Sequence, residues 1–301
     1  MKILISGGSG FVGSNLTKLL LKKGYEVTVM ARNPAKGSNL PPQVKTLAAD
    51  AMKAGPWQDE VALHDAVVNL AGVSVNKRWD DDHKKMLRDS RVFTTRNVVN
   101  ALSGEKNLAK TLINASGVGF YGYTKDEQLS ENAPPGKSDF LSGLAQDWEN
   151  EAIKAKDYGV RLVIARIGIV LGRDGGALAE MARPFRFFVG GPLGDGKQWF
   201  PWIHVRDLCR AILFAIENNS MSGPMNCVSP NPVRNLELAQ AIGKAMGRPS
   251  FFTAPAFMIK LILGEFGSVI LEGQRAIPQA LLENGFKFEF INIDDALRDI
   301  L

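Results

Sequence analysis

The segment Gly7-Gly8-Ser9-Gly10-Phe11-Val12-Gly13 sets glycines three residues apart between an apolar run, Lys2–Ser6, and a helical stripe of Val12, Leu16, Leu19 and Leu20. A glycine turn at a strand–helix junction suits phosphate binding, because its backbone N–H groups and the positive end of the helix both favour an anion. Gly7 permits the tight turn, Gly10 the close approach of a pyrophosphate, and Gly13 the packing of helix on strand. The bland alternative is a turn with no ligand. Its position at the first strand–helix junction favours a dinucleotide. The next apolar run, Glu26–Met30, leads into Ala31-Arg32-Asn33. A site selecting NAD has an acid there for the ribose 2′-hydroxyl; Arg32 instead offers a planar donor fork for a 2′-phosphate, with Asn33 beside it. The expected cofactor is NADP.

A second chemical segment lies late in the chain. Gly190-Gly-Pro-Leu-Gly-Asp-Gly196 gives flexible chain, and Gln198-Trp199-Phe200-Pro201-Trp202 then gives flat aromatic surface. Gln198, Trp199 and Trp202 are the candidates for lining a substrate pocket. The alternative is that the aromatics anchor a crossover loop. His204 is expected to pack ahead of the helix that contains Asp207, with proton transfer as its other reading. His64, His83 and His204 are scattered, and Cys209 and Cys227 lack ligand spacing, so no metal site is expected.

These residues require elements to position them. Apolar runs at Lys2–Ser6, Glu26–Met30, Val44–Leu47, Ala66–Leu70, Lys110–Ala115 and Val160–Arg166 read as strands. Asp80–Leu102 and Phe140–Lys156 read as long helices between them. Apolar strands alternating with helices predict an α/β, doubly wound parallel sheet of Rossmann type. After the helix Val205–Glu217 prolines punctuate shorter pieces, which predicts a small C-terminal α/β lobe. The expected division is residues 1–220 for the dinucleotide-binding domain and 221–301 for a lobe that closes a substrate cleft.

A formal charge of +5 over 301 residues is modest, and the densest basic stretch, Lys77 to Arg96, is interrupted by Asp80, Asp81, Asp82 and Asp89. No basic stripe suggests nucleic acid. The most apolar late segment, Phe251 to Leu271, is broken by Lys260, Gly264, Glu265 and Gly267, which argues against a membrane span. A cytoplasmic protein is expected, with a small-molecule substrate and a second copy of the chain, as a homodimer, as the candidate partners.

With the glycine turn in place, three later segments resemble the extended branch of the short-chain dehydrogenase/reductases. Asp50 follows the third strand, where the resemblance implies adenine contact. Asn69-Leu70-Ala71-Gly72 ends the fourth strand, where the family's backbone lines the cofactor. Ala115-Ser116-Gly-Val-Gly-Phe-Tyr121-Gly122 ends the fifth, where the family places an active-site serine and a Tyr-Gly pair. The stretch from Glu272-Gly-Gln-Arg-Ala-Ile-Pro278 to Leu301 is similar to the C-terminal domain of unknown function in a YfcH-type, NAD-dependent epimerase-like group of atypical members. The resemblance implies that Ser116 polarises a carbonyl and that Tyr121, or a water, moves the proton. Arg166, ending the sixth strand, is assigned to the nicotinamide end of the cofactor, with pairing to an acid as the alternative; Arg91 carries the same ambiguity.

One departure bears on activity. The family's Tyr-x-x-x-Lys pair, in which lysine lowers the tyrosine pKa, falls here on Phe140 and Leu144. Tyr121-Gly-Tyr-Thr-Lys125 has the spacing but sits on a glycine-containing loop. Two readings follow: an NADP-dependent epimerase-like oxidoreductase for a carbonyl or nucleotide-sugar substrate, and a catalytically silent NADP(H) sensor.

Overall fold

The computed structural model describes residues 1–33, 40–104, 111–137, 139–173 and 175–301. Seven strands form the central sheet: β1 (Lys2–Ser6), β2 (Glu26–Ala31), β3 (Lys45–Ala48), β4 (Ala66–Asn69), β5 (Thr111–Gly117), β6 (Arg161–Ile167) and β7 (Gly223–Cys227). Their order is β7-β6-β5-β4-β1-β2-β3, and every neighbouring pair is parallel. The winding direction reverses between β1 and β4. A crevice opens outside the carboxyl ends of the strands at such a point.

Alternation along each strand explains the layers. Ile3 and Ile5 face a core shared with the helices Phe11–Lys22 and Val205–Glu217. Leu4, between them, faces the opposite core, shared with the helix Asp81–Ala101 and Trp57. Because both faces are covered, the strands read as unbroken apolar runs.

Most expected elements agree within a residue or two. Lys110, the expected first residue of β5, lies outside the described residues. Asp80 caps its helix instead of joining it, its carboxylate accepting from His83 N at 2.7 Å. The helix from Phe140 ends at Ile153 and tightens into a 3₁₀ turn, Lys154–Tyr158. One boundary needs correction. A division after residue 220 cuts β7 from the sheet, although β7 pairs with β6 from Gly223↔Val163 to Cys227↔Ile167. Gly223 (φ 78°) turns the chain back into a last parallel strand that the proline-rich texture concealed.

The C-terminal segment is tied to the sheet domain by Asp207. Its fully buried carboxylate accepts from the backbone N–H groups of Glu289 and Phe290, each at 2.8 Å, and from Arg210 at 2.7 Å. A further core, built on Trp202, Leu238, Phe290 and Leu297, then joins the helices Asn235–Met246 and Ile293–Ile300. Burial pushes the Cys209 thiol up to about 12 and raises Cys227 as well, so neither is a nucleophile. Among the described residues no helix is long and apolar enough to cross a membrane.

Candidate functional site

The crevice is built from backbone first. Gly7 adopts φ 73°, and a Cβ there would stand 2.9 Å from both Ala71 N and the Leu70 carbonyl carbon. The β1 turn and the tip of β4 therefore touch where only glycine fits. A Cβ on Gly13 would lie 2.4 Å from Gly7 O, and one on Gly10 would lie 3.2 Å from it. These missing side chains leave the mouth of the helix open, with Gly8, Ser9, Phe11 and Val12 in the same turn. The cradle fits a pyrophosphate. Leu70, Ala71 and Gly72 form the facing wall. Asp50 follows β3 on the same edge, accepting from Met52 N at 3.2 Å. Arg32 and Asn33 are exposed at the end of β2, and Arg32 makes no ion pair among the described residues.

Beneath the crevice runs a buried polar row. Strand register aligns Ser6 with Asn69 and Asn69 with Asn114. Ser6 Oγ donates to Asn69 Oδ1 at 2.5 Å, and Asn69 Nδ2 donates to Asn114 Oδ1 at 2.7 Å and Thr95 Oγ1 at 2.9 Å. Trp148 Nε1 joins at Thr95 Oγ1, 2.8 Å away. A satisfied network of this kind fixes the carboxyl ends of β1, β4 and β5 relative to one another.

A second row changes the assignment of three expected site residues. Register brings Ser116 beside Arg166 and Arg166 beside Asn226. Glu149, from the helix Phe140–Ile153, receives Arg166 Nε at 2.9 Å and Nη2 at 2.8 Å. Ser116 Oγ donates to the same carboxylate at 2.7 Å. Tyr121 O–H donates to Asn226 Oδ1 at 2.7 Å and accepts from Arg166 Nη1 at 3.0 Å. All of these side chains are buried. Burial raises the Tyr121 pKa, and Arg166 beside it offsets only part of that rise. The hydroxyls of Ser116 and Tyr121 are thus engaged inside the sheet domain, and Arg166 takes the acid pairing that was its alternative reading. Glu149 had no sequence signal, because nothing in a helical Glu announces a buried arginine on a distant strand.

The aromatic segment divides in a similar way. Trp202 is fully buried in the C-terminal core and donates to Asn231 O at 3.1 Å, so it does not line a pocket. Gln198 commits its amide N–H groups to Leu193 O and Ile270 O at 3.2 and 3.3 Å, which ties loops together. Trp199 remains half-buried. The guanidiniums of Arg234 and Arg275 lie 4.4 and 4.8 Å from its ring centroid, and its N–H donates to Asp126 at 3.2 Å. Arg234 and the Trp199 N–H hold the Asp126 carboxyl below the usual carboxylate range. Arg275 Nε is buried with no partner among the described residues.

The helix that should carry the family's Tyr-Lys pair presents Phe140 and Leu144 packed with Trp79; the Trp79 and Phe140 rings are 5.3 Å apart, edge to face. Tyr123 stands near this helix start. It is half-buried, and its hydroxyl makes no hydrogen bond among the described residues. Burial, then Asp139, Glu272 and Glu265, raise its pKa, so it stays protonated at neutral pH. His204 accepts from Arg206 N at 3.1 Å through Nδ1 and stacks on Phe290 at 3.9 Å, which is the packing role.

A parallel sheet in this order, with a glycine cradle at its switch point and a cation at the end of β2, defines an NAD(P)-binding protein of the extended short-chain dehydrogenase/reductase type. Residues 3–227 match the NAD dependent epimerase/dehydratase family, and residues 254–300 match the domain of unknown function DUF1731; the chain belongs to that epimerase/dehydratase family. It is 40% identical over 303 residues to the chloroplastic epimerase family protein SDR39U1 homolog of Arabidopsis thaliana, covering 100% of this chain and 87% of that one. It is 36% identical to epimerase family protein YfhF of Bacillus subtilis, covering 100% and 98% of the two chains. The crystal structure of human epimerase family protein SDR39U1 with NADPH superimposes with a TM-score of 0.88 at 36% identity, covering 100% and 99%. A Thermus thermophilus UDP-glucose 4-epimerase structure, at 20% identity and TM-score 0.81, shares the fold.

Proposed function

We propose that this protein binds NADP(H) and transfers hydride between it and a phosphorylated carbonyl or nucleotide-sugar substrate. The observation that carries the substrate class is the gathering of Arg234 and Arg275 on the Trp199 ring. Two guanidiniums drawn together at one aromatic ring suit a substrate phosphate, and Arg275 Nε has no partner among the described residues. Arg32 supports NADP over NAD, as does the NADPH in the human relative's structure. The nicotinamide, when bound, supplies or accepts the hydride. The chain holds the dinucleotide on the Gly7–Gly13 turn, anchors substrate phosphate at Arg275, and keeps the reacting end dry with Phe140, Leu144 and Trp79. With Tyr121 engaged elsewhere, Tyr123 delivers the proton. A cytoplasmic location, no nucleic-acid or membrane partner and a homodimer as the candidate assembly belong to the same reading.

The test is NADPH oxidation against a panel of phosphorylated carbonyl compounds and nucleotide sugars. Arg275→Met should raise KM, and Tyr123→Phe should lower kcat while leaving NADPH affinity intact. The sealed hydroxyls of Ser116 and Tyr121 favour a second reading, an NADP(H) sensor without turnover. Tight NADPH binding with no oxidation across the panel would establish that one.

A further inference from the structure

Arg91, Arg161 and Arg166 each carry a guanidinium into the interior, and their surroundings differ. Arg166 is neutralised by Glu149. Arg161 has no acid, but its terminal nitrogens donate to the carbonyls of Ala215, Ile216, Asn218 and Met221 and to Thr111 Oγ1, a complete structural clamp. Arg91 has neither arrangement. Nη1 donates to Leu87 O in its own helix and Nη2 to Val73 O, both at 3.0 Å, and no carboxylate pairs with it among the described residues. Burial draws its pKa down to about 10, which leaves it charged at neutral pH. Arg91 is half-buried, and its remaining N–H groups are free to donate to a further acceptor beside them.

Its position indicates that acceptor. A Cβ on Gly72 would lie 3.2 Å from the guanidinium carbon, so Arg91 packs directly against the exposed Gly72 of the crevice wall. The guanidinium also lies 5.3 Å from the Trp148 ring centroid. Trp148 is one helical turn beyond Leu144, where the family pattern has its lysine. The two helices pack together, and Arg91 is the cation that the facing helix brings to the Trp148 ring.

We propose that Arg91 replaces that lysine as a cofactor-binding cation, donating its remaining N–H groups to the ribose and phosphate of the nicotinamide half of the dinucleotide. Arginine keeps its proton at neutral pH, so this cation binds and orients without relaying protons. The inference rests on the NADP reading, and ligand halves separate the two. Calorimetric titration uses NADPH and 2′,5′-ADP, which retains the adenosine half and the 2′-phosphate alone. Arg91→Met should weaken NADPH about tenfold or more and leave 2′,5′-ADP within about twofold. Arg91→Lys, which keeps the charge and loses the fork, should recover part of the NADPH affinity and carries the test if Arg91→Met does not fold. Unchanged NADPH affinity in both variants overturns the proposal, and so does equal weakening of both ligands, which would mark a purely structural arginine. A wild-type chain that binds neither ligand removes the NADP reading and this role together.

Discussion

Glu149 grips Arg166 through two parallel hydrogen bonds of 2.9 and 2.8 Å inside the sheet domain, with both side chains about 5% exposed or less. That pair also engages the hydroxyls around it, Ser116 through Glu149 and Tyr121 through Arg166. Removing one partner would leave a buried charge without compensation. Glu149→Ala is expected to destabilise the fold by about 3–5 kcal/mol, read by urea unfolding. Ser116→Ala removes one neutral donor and should cost only about 1–2 kcal/mol. A Glu149→Ala loss no larger than that of Ser116→Ala would remove the pair from its central position.

Tyr121 joins the same network through Asn226 and Arg166. Tyr121→Phe should therefore lower stability by about 1–3 kcal/mol and leave turnover on any identified substrate near the wild-type rate. A stable variant with kcat reduced a hundredfold would return Tyr121 to the reacting centre.

Gly13 has the least room of the cradle glycines. Gly13→Ala drives a methyl against Gly7 O and should abolish NADPH binding while destabilising the chain by about 1–3 kcal/mol. Calorimetry with NADPH checks the first effect and thermal unfolding the second. Retained affinity would mean that the turn does not hold the pyrophosphate.

Arg32 should decide between cofactors. Losing a charge-assisted contact to the 2′-phosphate is worth about 1.5–3 kcal/mol, so Arg32→Ala should weaken NADPH about tenfold to a hundredfold and leave NADH unchanged. Full NADPH preference in that variant would assign the 2′-phosphate to another group.

His204 gives a pH signature. Burial, with Arg206 adding to it and Asp299 and Asp207 opposing, lowers its pKa from 6.5 to about 4. The unfolded chain therefore takes up the proton first, and stability present above pH 6.5 is lost as the pH falls toward 4. After allowance for solvent screening, the loss attributable to this residue is about 1–2 kcal/mol. His204→Asn keeps a cap acceptor and does not titrate. Urea unfolding at pH 7 and pH 4.5 should show a smaller pH dependence in the variant; identical slopes would rule out the histidine as the cause.

The sequence by itself determined the sheet, the crevice and the character of its ligand. A glycine turn is local: backbone conformation and the absence of Cβ atoms follow from residues 7 to 13 alone. Two-sided burial likewise writes itself into strands as unbroken apolar runs. What the sequence could not determine was which polar side chains face the crevice. Ser116, Arg166 and Asn226 are far apart in the chain and meet only because β5, β6 and β7 pair in register, with Glu149 arriving from a helix. Trp199 and Trp202 look alike in sequence, yet Pro201 separates them into different strand pairings, with Arg234 and with Ile169. One is buried in a core and the other carries two arginines near its ring. Arg91 shows the same limit: its helix was legible, but only packing places its charge against Gly72 and the Trp148 ring.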